Sequence, residues 1–154
     1  MIRTPGPRRA AGLIWTAEVA AALVLLLAVA VVPEPAAPSL VGVMRPTAAG
    51  LSVLAVALSW LWAVRLRPVV PPGFSPPSAD SLALTRLIVA SALCEASGLF
   101  ALVAYLGTQD LATLLAFGLS FVGLLTHRPS DRHWARLGGA AAAPGAGRRP
   151  MVRG

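Results

Sequence analysis

Leu87 to Leu106 reads "LIVASALCEASGLFALVAYL", twenty residues with a single carboxylate, Glu95, near the middle. A hydrocarbon layer about 30 Å thick is crossed by roughly 17–25 helical residues. The stretch therefore has the length and apolarity of a membrane span. Its acid does not prevent insertion. Nine Leu, Ile, Phe and Val residues lie in the run. Together they contribute roughly −3 to −5 kcal/mol on the insertion scale, against about +2.5 to +3.5 kcal/mol for one acidic group at the centre.

Three more runs share this character: Ala11 to Val32, Ala48 to Val64, and Leu111 to Thr126. All 14 prolines fall outside the four runs, as expected where a broken hydrogen-bond ladder in lipid is costly. The predicted fold is all-α, a four-helix transmembrane bundle over residues 1–137. A low-complexity basic tail over 138–154 is expected to be disordered. "GTQD", Gly107 to Asp110, joins the last two runs. So short a link makes those helices antiparallel neighbours.

The whole composition agrees. Of 154 residues, 56% are hydrophobic and 12% charged, roughly half the charged share of a soluble domain. The 13 basic residues are all Arg. With abundant Ala, Gly and Pro, this points to a GC-rich bacterial genome and a bacterial plasma (inner) membrane. One tyrosine and four scattered Phe make no base-stacking platform, so nucleic acid is not an expected partner. The net charge of +7 is instead assigned to topology and to anionic lipid at the basic tail. The single cysteine, Cys94, excludes an internal disulfide, and no metal motif is present. No cofactor is expected.

Arginine placement orients the chain. With both termini cytoplasmic, every arginine except Arg45 falls inside. Trp15, Trp60 and Trp62 then sit toward the cytoplasmic interface and Tyr105 at the outer one. In an alternative reading Arg8, Arg9 and the first run form a signal peptide, with "AVA" at Ala28 to Ala30 as the cleavage site. Arg128, Arg132 and Arg136 recur every four residues. Their face, with Trp134, is expected on the inner leaflet or as ordinary flanking charge. His127 and His133, close to Asp131, read as part of a solvated juxtamembrane cluster.

Glu18 and Glu95 are the only charged residues inside the four runs. Carboxylates in a membrane are functional candidates by default. Glu95 is the primary ion-binding candidate, with Ser91 and Gly98 on its own helical face. Ser52 and Ser59 share a face of the second helix and are placed to hydrogen-bond across. Arg86 is nine residues away, about 13 Å along a helix, too far to neutralise Glu95. Glu18 is the secondary candidate, close enough to the cytoplasmic interface to reach toward it.

"ALCEASGLFALVAYL", Ala92 to Leu106, resembles the carboxylate helix of the c subunit (proteolipid) of rotary ATP synthases. Ala92, Leu93, Glu95, Ala96, Leu102, Val103 and Leu106 match that helix's pattern. The resemblance implies that Glu95 binds H⁺ or Na⁺, and "RLRP" at Arg65 to Pro68 fits the family's cytoplasmic polar loop. It is confined mainly to this helix. "GLSVLAVALSWLWAV", Gly50 to Val64, has one Gly and two Trp where the family's first helix is packed with glycine. "WTAEVA", Trp15 to Ala20, is similar to the acidic first helix of small multidrug resistance transporters.

No nucleophile–base pair or Gly-rich phosphate loop is present, so no enzymatic activity is expected. Two functions compete. One is a multi-pass membrane protein handling protons or cations through a midplane carboxyl. The other is a structural or accessory subunit, in a homo-oligomer or a larger membrane complex, without transport activity.

Overall fold

The computed structural model describes residues 6–31, 38–64 and 77–139. The Pro-rich segment after the second run and the tail from residue 140 lie outside them. The described chain is all helix and turn: α1 (Pro7–Ala30), a 3-10 turn (Pro38–Leu40), α2 (Val41–Val64), α3 (Ala79–Thr108), α4 (Leu111–Thr126) and α5 (Asp131–Gly139). Among the described residues, α1, α2 and α3 are each long and apolar enough to cross a membrane. A fourth span is counted if α4 and α5, bent by 83° at their junction, form one pair.

α4 has the expected bounds, but α1, α2 and α3 all begin earlier than their apolar runs. Hydropathy marks the stretch suited to lipid, whereas local capping sets where a helix starts. Pro7 opens α1 behind Gly6, a position where a missing N–H costs nothing. α2 starts at Val41 and carries Pro46 inside it. The bond lost there is to the Gly42 carbonyl, near the helix start. Ser78 caps α3 by accepting from the Ser81 N–H at 3.2 Å, and Asp80 lies in the first turn, where a negative charge suits the helix dipole. The α3–α4 link is shorter than expected. Gln109 adopts the left-handed conformation (φ 51°) and Asp110 caps α4 through the Ala112 N–H. α5 also extends to Gly139, so 138 and 139 are helical rather than part of the tail.

α3 is the hub, packed against α1, α2, α4 and α5, while α1 lies at the edge. The bundle is small and polar within, bulky and apolar without. Ala48, Ala83, Ala90 and Ala101 are fully buried, along with Ser52, Ser59, Ser91 and Ser120. Leu27, Val103 and Leu115 point outward at 69%, 66% and 68% exposure. Small residues at these contacts let the helix backbones approach closely. Gly123 shows how close: a Cβ there would lie 2.7 Å from Val56 Cγ2 and 3.0 Å from Cys94 Sγ.

Ion pairs hold the two ends. Arg45 grips Asp110 with two N–H···O bonds of 2.7 and 2.9 Å, fastening α2 to the α3–α4 turn. At the opposite end Arg8 pairs with Asp131, tying the start of α1 to α5. α5 turns its back to the bilayer expectation for Trp134. That indole is 9% exposed and donates to Asp80 at 2.9 Å. The Arg86 guanidinium, buried under α5, donates to the Leu137 carbonyl at 2.6 Å, satisfying a carbonyl of the last turn. Gly138 packs on the Ala79 backbone, where a Cβ would meet the carbonyl oxygen at 3.1 Å. Arg128, Arg132 and Arg136 remain exposed. α5 therefore docks its apolar face on protein and presents its basic face outward.

Candidate functional site

The two acids of the apolar runs lie near one another. Glu18 on α1 and Glu95 on α3 are both half-buried and close enough for their charges to interact. Ser91, 1% exposed, donates to Glu18 Oε1 at 3.0 Å. Glu18 Oε2 is buried with no hydrogen-bond partner among the described residues. Glu18 thus faces into the bundle and does not reach for the interface. The secondary candidate is the better-held member of the pair.

Glu95 opens on a small cleft between α1, α3 and α4. Ala22, Cys94, Gly98, Phe117 and Ser120 are among its walls, and it has room for about one water molecule. Gly98 keeps Phe117 and Ser120 close: a Cβ would lie 3.4 Å from the Phe117 ring and 3.5 Å from Ser120 Cβ. Ser120 and Ser97 share a hydrogen bond of 2.8 Å across α3 and α4. Neither Glu18 nor Glu95 has a basic partner among the described residues.

The α2 serines go elsewhere. Ser52 is fully buried, yet its Oγ has no partner among the described residues. Ser59 bonds to neither carboxylate. Its hydroxyl donates to the Val56 carbonyl at 2.8 Å, accepts from the Cys94 thiol at 3.5 Å and lies 2.9 Å from His127 Nε2. One hydroxyl has one hydrogen, and Val56 takes it. His127 Nε2–H is then the donor to Ser59, and Nδ1 carries the lone pair. Of the predicted group, Glu95, Glu18, Ser91 and Gly98 share one junction, and Ser59 belongs to a second cluster one helix away.

That second cluster corrects the expectation for the histidines. His127, just past α4, is fully buried, and His133 on α5 is 8% exposed. Their ring centroids are 5.6 Å apart, and Trp60 lies 5.2 Å from His127 and 6.1 Å from His133. His127 Nδ1 and His133 Nε2 are both buried with no partner among the described residues. Burial, and then neighbouring His133, pushes the His127 pKa down to about 4. Burial, and then the Arg136 charge, pushes His133 down as well. The 83° bend folds α5 back under the bundle and encloses both rings. Nothing in the local sequence marks this, because "HRPSDRHWAR" is polar enough to read as solvated. The i, i+6 spacing of the histidines meets only across the bend.

Among the described residues no group of three or more His, Cys, Asp or Glu is arranged to hold a metal ion. No protein-family model, curated protein or solved structure matches the chain.

Proposed function

We propose that this chain is a four-span protein of a bacterial inner membrane that binds a proton or small cation at the Glu18–Glu95 pair. The carrying observation is that the two acids come within electrostatic range from separate helices, with a buried serine donor on Glu18 and no basic partner among the described residues. Two neighbouring carboxylates in a low-dielectric site require a compensating positive species. A proton or a bound cation supplies it. The resemblance of the Glu95 helix to the rotary c subunit points to the same chemistry. The N-terminus and α5 are assigned to the cytoplasm, because all the described arginines but Arg45 cluster at their end. Exposed Arg128, Arg132 and Arg136 there are suited to anionic lipid headgroups. The activity is binding and transfer, not enzymatic conversion.

A hydrophobic carbodiimide tests this directly in purified protein. Modification of Glu95 or Glu18 that declines as pH rises, or that Na⁺ blocks, is expected. Absence of modification at either residue, with Glu95→Gln matching wild type in ion binding, would remove the proposal.

A second reading has its own observation. An apolar groove of about 260 Å³ runs between α2 and α3, walled by residues such as Leu54, Leu58, Leu93 and Phe100. A structural or accessory subunit would use it, or the open face at Gly118, to seat a neighbouring helix. Crosslinking in native membranes that recovers only monomer counts against that function.

A further inference from the structure

We propose that His127 and His133 form the proton port through which the Glu18–Glu95 site communicates with the α5 end of the molecule. The inference rests on the carboxylate pair being a proton site and adds its route. Three independent features carry it: two unpartnered buried ring nitrogens, a hydrogen-bonded path leading inward from one ring, and a cleft that joins Cys94 on that path to Glu95.

The path begins at α5. His133 Nε2 and His127 Nδ1 are both buried without a partner among the described residues, on rings 5.6 Å apart. A buried polar nitrogen left unsatisfied is costly, and its retention on both rings marks a place where a proton or a bridging water is received. His127 Nε2 then bonds to Ser59 Oγ at 2.9 Å, and Ser59 Oγ to Cys94 Sγ at 3.5 Å. Cys94 is also a wall of the small cleft onto which Glu95 opens, and it lies within electrostatic range of Glu18. The groups descend from the α5 end to the middle of the bundle without leaving its interior.

Each transfer balances. His127 Nδ1 takes up a proton arriving by way of His133 as its Nε2 releases one to Ser59 Oγ. Ser59, its hydroxyl turned away from the Val56 carbonyl, passes its own hydrogen to Cys94 Sγ, and the thiol's hydrogen goes across the cleft to Glu95. One proton has entered and one has been delivered. Rotation of the hydroxyl and exchange of the imidazole tautomer reset the path. Neutral imidazole can do this because one nitrogen accepts while the other donates.

The surroundings favour passage over trapping. On α2, Ser59 and Trp60 meet the rings; on α3, Cys94 lies beyond Ser59 and Arg86 holds the Leu137 carbonyl of α5. On α5 the charge nearest His133 is Arg136. The acids of this end are engaged elsewhere, Asp131 with Arg8 and Asp80 with Trp134. Positive neighbours and burial keep both rings neutral at rest, so a proton that arrives is passed on.

The test is a pH jump on full-length protein in liposomes, with carboxyl protonation followed by time-resolved infrared absorption. His127→Phe and His133→Gln are compared with wild type, and carbodiimide labelling of Glu95 is measured at equilibrium. The expected result is a tenfold or greater slowing of the carboxyl signal in both variants, with equilibrium labelling and its pH dependence unchanged. Wild-type rates in both variants, with helix content retained, overturn the port and leave the carboxylate site standing. Absence of a pH-dependent carboxyl signal in wild type overturns the carboxylate site, and the port with it.

Discussion

Ser91 of α3 donates a 3.0 Å hydrogen bond to Glu18 of α1, joining the peripheral helix to the hub one turn from Glu95. α1 buries few of its side chains, so this bond, the one from Trp15 Nε1 to the Leu124 carbonyl at 3.0 Å and the Arg8–Asp131 pair at its start are its polar attachments to other helices among the described residues. Removing Ser91 leaves Glu18 Oε1 without a donor as well as Oε2. Ser91→Ala is expected to cost about 1–3 kcal/mol, read as unfolding free energy in mixed micelles. Glu18→Gln, which keeps an acceptor for Ser91, is expected to cost less.

Gly123 permits the closest approach of α2, α3 and α4. Gly123→Ala forces a methyl into Val56 and Cys94, and valine has little freedom to move aside. A loss of about 1–3 kcal/mol is expected from such overpacking. Gly118→Ala meets nothing within 4 Å and is expected to be neutral by the same thermal assay. If Gly118→Leu nevertheless abolishes a crosslinked oligomer while the protomer stays folded, a neighbouring helix occupies that face.

The Arg45–Asp110 pair clamps α2 to the α3–α4 turn. The Arg45 hydrogen bonds, more than its charge alone, hold the Asp110 carboxyl below the usual range. A depressed folded-state pKa means that its contribution is present above the ordinary carboxylate value and lost as pH falls below it. Asp110→Asn keeps the helix cap but removes the ion pair. Wild type is expected to melt higher than this variant at pH 7, and the gap is expected to shrink as the medium is acidified toward pH 3.

α5 docking carries the opposite chemistry on the same side of the ledger. His127 has a folded-state value of about 4, below the ordinary histidine value of about 6.5. The unfolded or undocked state therefore binds protons first. The contribution is complete above about pH 6.5 and falls as pH drops toward 4. Amide protection across 131–139, taken relative to the intrinsic exchange rate at each pH, is expected to fall over that window, and His127→Phe is expected to abolish the fall. Unchanged protection in wild type between pH 7 and pH 4.5 would falsify the coupling.

How much of this was legible in the chain depends on which force set each feature. Apolar length placed four helices, and α4 matched to the residue, because Asp110 caps it and the apolar run ends with the helix. α2 and α3 began earlier than hydropathy indicated. Their first turns lie under polar or capping control, around Arg45 and Ser78, where a membrane scale has nothing to measure. Glu95 and Glu18 stood out as charges in apolar runs. Their meeting did not, since α1 and α3 are far apart in sequence and contact between them depends on packing.

The sequence by itself determined an all-helical chain with helices apolar enough for a membrane, two acids placed within them, and arginines gathered toward one end. Those features follow from solvation of each residue, a local property. Only the tertiary structure decided that Glu18 takes the Ser91 hydrogen bond near Glu95, that Ser59 serves His127 rather than a carboxylate, and that both histidines are buried. The reason is the turn after α4. It folds a polar nine-residue helix back onto α3, where Trp134 finds Asp80 and Arg86 finds the Leu137 carbonyl, and so removes from water two rings whose sequence surroundings are those of a solvated segment.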